Sequence, residues 1–247
     1  MITKHYHYFG KDLSSKMNGN SLNEGNWDML RNDEADGPFS IEKSVQAYEE
    51  NCKKATTYED VAQKIIDIIF KENWGFGKIA SCGVGKGILE WHLKNKCPDL
   101  YVECTDYTKE AIEKLKKVFP SMDSAHTFDM LNGNYSEFGN DSVVLMFRVS
   151  TEFDRKQWDM IFRKMYDEGV THVIFIPTGL DTVKTMLIEK LVHIRNKMLG
   201  RKDIFCGWIY SENEFLGMFR GKESEPLYDV DKKIDMEGNA IYFLKRH

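Results

Sequence analysis

The sequence has no apolar run approaching the ~18 residues that a membrane span needs, no Cys-x-x-Cys pair, and only 5 prolines in 247 residues. Its start, Met1-Ile-Thr-Lys-His-Tyr-His-Tyr-Phe9, lacks the apolar centre of a signal peptide. It also lacks a basic surplus. Against 34 Lys and Arg stand 39 Asp and Glu, a net charge of −5, which argues against a nucleic-acid partner. The 5 cysteines (Cys52, Cys82, Cys97, Cys104, Cys206) are scattered and odd in number, which fits a reducing compartment better than a disulfide scaffold. His5 and His7 flank Tyr6 without an acidic or thiolate companion at ligand spacing, so no metal is expected. These absences point to the cytoplasm and to a small-molecule ligand, with neither nucleic acid nor membrane as partner. They say nothing of the oligomeric state.

What remains is ample for a packed core: 42% apolar and 13% aromatic residues. Alternating strand and helix patterns begin near residue 56. A helix opens on Thr56-x-x-Glu59, and Val61, Ile65, Ile68 and Ile69 repeat at helical spacing along it. Strands are expected at Lys78–Ser81, Leu100–Thr105, Ser124–Phe128, Ser142–Phe147 and Thr171–Ile176, the last stopped by Pro177. Between them lie helices around Ala111–Val118 and Trp158–Glu168, and a long helix at 182–199 follows. Its apolar stripe, Val183, Leu187, Leu191, Ile194 and Met198, reads as a buried face. A helix at Ser211–Phe219 comes next. Two strands, Leu227–Ile234 and Ala240–Lys245, flank a Gly-Asn turn and form a closing hairpin. The expected fold is α/β: a Rossmann-like, doubly wound sheet, mostly parallel, with an antiparallel C-terminal hairpin strand. Residues 1–55, loop-rich and ending in a helix from Ile41 to Lys54, read as an N-terminal cap over a main domain at 56–247.

The densest signal is Lys78-Ile-Ala-Ser-Cys-Gly-Val-Gly-Lys-Gly87, a strand running into glycines at every second position with a helix at once behind them. Nineteen residues after Gly87, Asp106 ends the next strand. Bare glycines let the backbone approach a ligand, and an acid at the neighbouring strand tip can bond ribose hydroxyls. Dinucleotide folds usually carry G-x-G-x-x-G. The spacing Gly83-x-Gly85-x-Gly87 instead resembles the glycine loop of class I S-adenosylmethionine-dependent methyltransferases, and the order of elements over 56–247 is similar to theirs.

That resemblance implies S-adenosylmethionine as cofactor and a polar small molecule as methyl acceptor, such as the hydroxyl or amine of a sugar or nucleotide-linked sugar. It places Gly83, Gly85, Gly87 and Asp106 on the cofactor, Tyr107 against the adenine, and Asp129 and Met130 at the adenine edge and face. Arg148 lies in the segment after the fourth strand, which borders the sulfonium and the acceptor, and counts among the cofactor-binding residues. There is one departure. Many members carry an acid two residues before the first glycine, and this chain has Ser81, which brings a hydroxyl but no charge. Glu152 and Asp154, just past the fourth strand, are candidates for a general base, with surface acids or a helix cap as the plainer reading. Arg195 and Arg201 lie in a basic segment that would bind a phosphate or carboxylate of the acceptor, or else form a solvated helix face. His92, on a packing face, reads as a core histidine. The rival readings are a nicotinamide-dependent oxidoreductase and a non-catalytic adenosine-binding protein of the same fold.

Overall fold

The computed structural model describes residues 2–5, 40–71, 74–180, 182–200, 207–222, 225–236 and 239–247. In chain order these form β1 (Ile2–His5), α1 (Val45–Lys54), α2 (Thr56–Lys71), β2 (Lys78–Cys82), α3 (Ile88–Lys96), β3 (Tyr101–Asp106), α4 (Lys109–Val118) and β4 (Ser124–Thr127). A 3₁₀ turn (Tyr135–Phe138) leads to β5 (Ser142–Phe147), α5 (Arg155–Asp167), β6 (His172–Ile176) and α6 (Val183–Met198). Then come β7 (Gly207–Tyr210), α7 (Glu212–Arg220), β8 (Gly221–Lys222), β9 (Glu225–Pro226), β10 (Tyr228–Met236) and β11 (Asn239–Arg246).

A seven-stranded sheet has the order β10-β11-β6-β5-β2-β3-β4. Strands β2, β3 and β4 pair in parallel, Ser81 opposite Cys104 and Asp106 opposite Thr127. The closing strands β10 and β11 are antiparallel, from Tyr228 opposite Arg246 to Met236 opposite Asn239. The doubly wound sheet with an antiparallel C-terminal pair is the expected architecture. The chain divides into two compact units, one of 30–145 with 168–173, the other of 1–29, 146–167 and 174–247.

In the first unit, β2 and β3 carry buried residues on both faces, as a parallel strand covered by helices must. Helix α4 lays Ala111, Ile112, Leu115 and Val118 inward. Each larger aliphatic there contributes about 1.5–3 kcal/mol by leaving water. Helix α2 buries Val61, Ile65, Ile68 and Ile69, the stripe read from the sequence. Helix α1 is capped by Ser44, whose hydroxyl accepts from the Ala47 amide. It packs Tyr48 and Cys52 fully inside.

In the second unit an aromatic cluster forms the core: Trp158 against Phe153, Phe162 and Phe175, and Phe215 against Phe175, Phe219 and Tyr242. Arg155 ties the start of α5 to α7 by donating to the carbonyls of Glu214 and Gly217, at 3.0 and 2.7 Å. Ser211 and Glu214 form a capping box at the start of α7.

One expectation is corrected here. The apolar stripe of α6 is not buried: Leu187, Leu191, Ile194 and Met198 are 56, 66, 54 and 82% exposed. Periodicity marks an apolar face without saying that anything covers it. At the N-terminus β1 pairs with β7, Ile2 opposite Tyr210, and α1 belongs to the unit of 30–145. The segment 6–39 lies outside the described residues.

Candidate functional site

The glycine loop follows β2 and is shaped by its own backbone. Gly83, Gly85 and Gly87 take φ of +74, +58 and +66°, the left-handed region that side chains with a Cβ disfavour. At Gly87 the demand is also steric. An added Cβ would stand 2.9 Å from Leu115 Cδ2 and 3.1 Å from the Tyr48 hydroxyl. The loop rides on β3: the Gly83 and Val84 amides both donate to the Thr105 carbonyl, at 2.8 and 3.0 Å. One residue on, Asp106 Oδ2 accepts from the Gly85 amide at 2.9 Å, while its Oδ1 accepts from the amide and hydroxyl of Thr108. Asp106 is 4% exposed and turned onto the loop.

Ser81 is buried, and its hydroxyl donates to Glu90 Oε1 at 2.6 Å. Glu90, in the first turn of α3, is a site residue that the sequence reading missed. Its signal was a carboxylate inside Ile88-Leu-Glu-Trp-His-Leu93, of which Leu89 to Leu93 are all buried. Burial raises its carboxyl to about 7, against a smaller lowering by the Ser81 hydroxyl. The loop also meets the segment ahead of α1. Lys86 Nζ lies 3.0 Å from Glu42 Oε1, and the Tyr48 hydroxyl donates to the Lys86 carbonyl at 2.9 Å.

Ser81, Gly83, Gly85, Gly87 and Asp106 thus come together at the β2 and β3 tips. Tyr107 follows directly, 52% exposed. Asp129 and Met130 follow β4, the strand beside β3, and the Phe128 amide donates to the Asp106 carbonyl at 2.9 Å. The Asp129 carboxylate accepts from the Leu131 amide and the Asn132 side chain, and so holds its own turn. Met130 is buried, and its carbonyl accepts from the Tyr135 hydroxyl at 2.7 Å.

The remaining candidates belong to the second unit. Arg148 is a non-glycine residue at φ +58°, fixed by its amide to the Ile176 carbonyl and by its own carbonyl to the Thr178 hydroxyl. Asp154 accepts from the Gln157 amide and donates its own amide to the Gln157 side chain, a reciprocal cap at the start of α5. Glu152 is exposed in the turn before it. Arg195 is exposed on α6, and Arg201 lies outside the described residues. His92 is a satisfied core histidine, its Nε2 2.9 Å from the Cys52 carbonyl. Among the described residues no group of three or more His, Cys, Asp or Glu is placed to hold a metal ion. No helix there is long and apolar enough to cross a membrane.

No model of a known protein family matches the sequence, and no characterised protein resembles it significantly in sequence. Solved structures share its fold. Human N-acetylserotonin methyltransferase, in complex with S-adenosylmethionine, superposes with a TM-score of 0.54 at 11% identity over 82% of this chain and 55% of its own. This chain therefore spans little more than half the length of that enzyme. Magnesium protoporphyrin IX methyltransferase from Synechocystis PCC 6803, with bound S-adenosylhomocysteine, gives 0.53 at 12% identity, covering 82% of this chain and 85% of its own. A putative zinc-dependent alcohol dehydrogenase from Rhodobacter sphaeroides gives 0.55 at 13% identity, covering 73 and 89%. The chain shares a Rossmann-like fold with these two methyltransferases and with the dehydrogenase, and its own sheet closes on the antiparallel pair β10 and β11.

Proposed function

We propose that this chain transfers a methyl group from S-adenosylmethionine to a polar small molecule, a hydroxyl or amine of a sugar or nucleotide-linked sugar being the acceptor class. The observation that carries the reading is the pairing of a side-chain-free, left-handed glycine loop with the Asp106 carboxylate at the next strand tip. The cofactor, when bound, supplies an activated methyl group for in-line displacement. The chain's task is then alignment and exclusion of water. Asp106 would exchange its Gly85 amide for ribose hydroxyls, Tyr107 would lie on the adenine, and Asp129 and Met130 would border it. Glu152 and Asp154 are the candidates to take an acceptor proton, Asp154 being also the cap of α5. Arg148, Arg195 and Arg201 remain the candidates for the sulfonium-side segment and for an acidic group on the acceptor. The acidic net charge supports a small-molecule partner over a nucleic acid.

The alcohol dehydrogenase likeness favours a second reading, a nicotinamide-dependent oxidoreductase. The spacing Gly83-x-Gly85-x-Gly87, in place of G-x-G-x-x-G, and the closing hairpin favour the first reading. Thermal unfolding with S-adenosylhomocysteine and, separately, NADH decides between the two. A raised midpoint with the first alone is expected. A rise with NADH alone would replace the proposal. Product formation from labelled S-adenosylmethionine across sugar, nucleotide-sugar and amine acceptors then tests turnover.

A further inference from the structure

Neither the charge nor the proton of Glu90 has yet been given a task. The carboxyl is 1% exposed, and Ser81 hydrogen-bonds one of its oxygens. The methyltransferase resemblance places an acid where this chain has Ser81, and the first turn of α3 returns a carboxyl to that same hydroxyl. Resting on the S-adenosylmethionine reading, we propose that Glu90, held by Ser81, receives the α-ammonium of the cofactor's methionine end. Cofactor binding then expels a proton from Glu90.

Three observations converge on this. Ser81 is the penultimate residue of β2, at the carboxyl edge where open α/β sheets take their ligands. Its single hydroxyl proton is committed to Glu90, so its oxygen meets an incoming N–H as an acceptor. The groups that face Glu90 electrostatically are Tyr48 and Cys52 from α1 and Cys104 and Asp106 from β3, all neutral or acidic. Ionised Glu90 therefore gets no cation from that set, and an ammonium arriving with the ligand supplies one. The exchange balances. The neutral carboxylic acid gives its proton to solvent, and a carboxylate–ammonium pair replaces it. The acid has moved from the strand to the helix, and burial there makes cofactor affinity sensitive to pH near neutrality.

The test is calorimetric titration of the full chain with S-adenosylhomocysteine and with 5′-methylthioadenosine, which has the nucleoside and sulfur but no amino acid, at about pH 6 and pH 8. The expected result is about tenfold tighter binding of S-adenosylhomocysteine at the higher pH, with proton release at the lower. Glu90→Gln should flatten that dependence and weaken binding at least tenfold at the higher pH, while 5′-methylthioadenosine binds both proteins alike. Should Glu90→Gln not fold, Ser81→Ala serves. It keeps the carboxyl, removes the bond that favours its ionisation, and moves the midpoint of the pH dependence upward. PH-independent binding by the native chain, or native affinity in Glu90→Gln, overturns the proposal. Failure of both ligands to bind the native chain overturns the adenosine reading itself, and the role of Glu90 with it.

Discussion

Lys86 Nζ and Glu42 Oε1 stand 3.0 Å apart, joining the glycine loop to the segment that precedes α1. Both side chains are about four-fifths buried, at 22 and 20% exposure, and Asn51 donates to the same Glu42 oxygen at 2.8 Å. A double-mutant cycle with Glu42→Gln and Lys86→Met, read by urea unfolding, is expected to give a coupling of about 1 kcal/mol that shrinks with salt. A coupling of zero would show that the pair does not fasten the loop.

Gly87→Ala forces a Cβ into a left-handed residue and against Leu115 and Tyr48. A loss of roughly 2 kcal/mol in stability is expected, together with lost binding of S-adenosylhomocysteine. Urea midpoints and calorimetry check the two separately. Native stability in this variant would mean that the loop bends otherwise.

Asp106→Asn keeps an acceptor for the Gly85 amide but removes the charge. On the proposed reading, affinity for S-adenosylhomocysteine falls roughly 10–100-fold, the loss of one charge-assisted bond to a ligand hydroxyl. Undiminished affinity would remove Asp106 from the site.

Glu90 makes stability depend on pH. Its unfolded carboxyl titrates near 4.5 and its folded one near 7. The folded-state preference for the acid form is fully present below the first value and is lost as pH rises through the second. Glu90→Gln should thus stabilise the ligand-free chain increasingly across that window and level off above it, by at most about 3 kcal/mol. Urea midpoints at pH 5, 6, 7 and 8 measure this. A constant difference would contradict the burial-raised acid.

Much of the fold was legible because strand and helix periods are local. Ser142–Phe147 has the boundaries read from its apolar run, and α2 buries the Val61, Ile65, Ile68 and Ile69 repeat read along it. The glycine loop was legible for the same reason, since its spacing is a backbone requirement. The missing charge at Ser81 was visible too, but its partner was not. Glu90 returns to Ser81 only through the geometry of the turn between β2 and α3. The pairing of Ile2–His5 with Gly207–Tyr210 was beyond reach, since two four-residue strands some two hundred positions apart share no pattern. Helix α6 shows the converse error, a regular stripe whose exposure no periodicity reports.

The Thr105 carbonyl accepts from both Gly83 and Val84, so a displacement of the third strand is passed directly to the glycine loop. On the proposed reading, changes in the buried stretch Val102–Thr105 would surface as altered affinity for the cofactor. S-adenosylhomocysteine affinity across a set of variants there would measure how far the strand sets the shape of the loop.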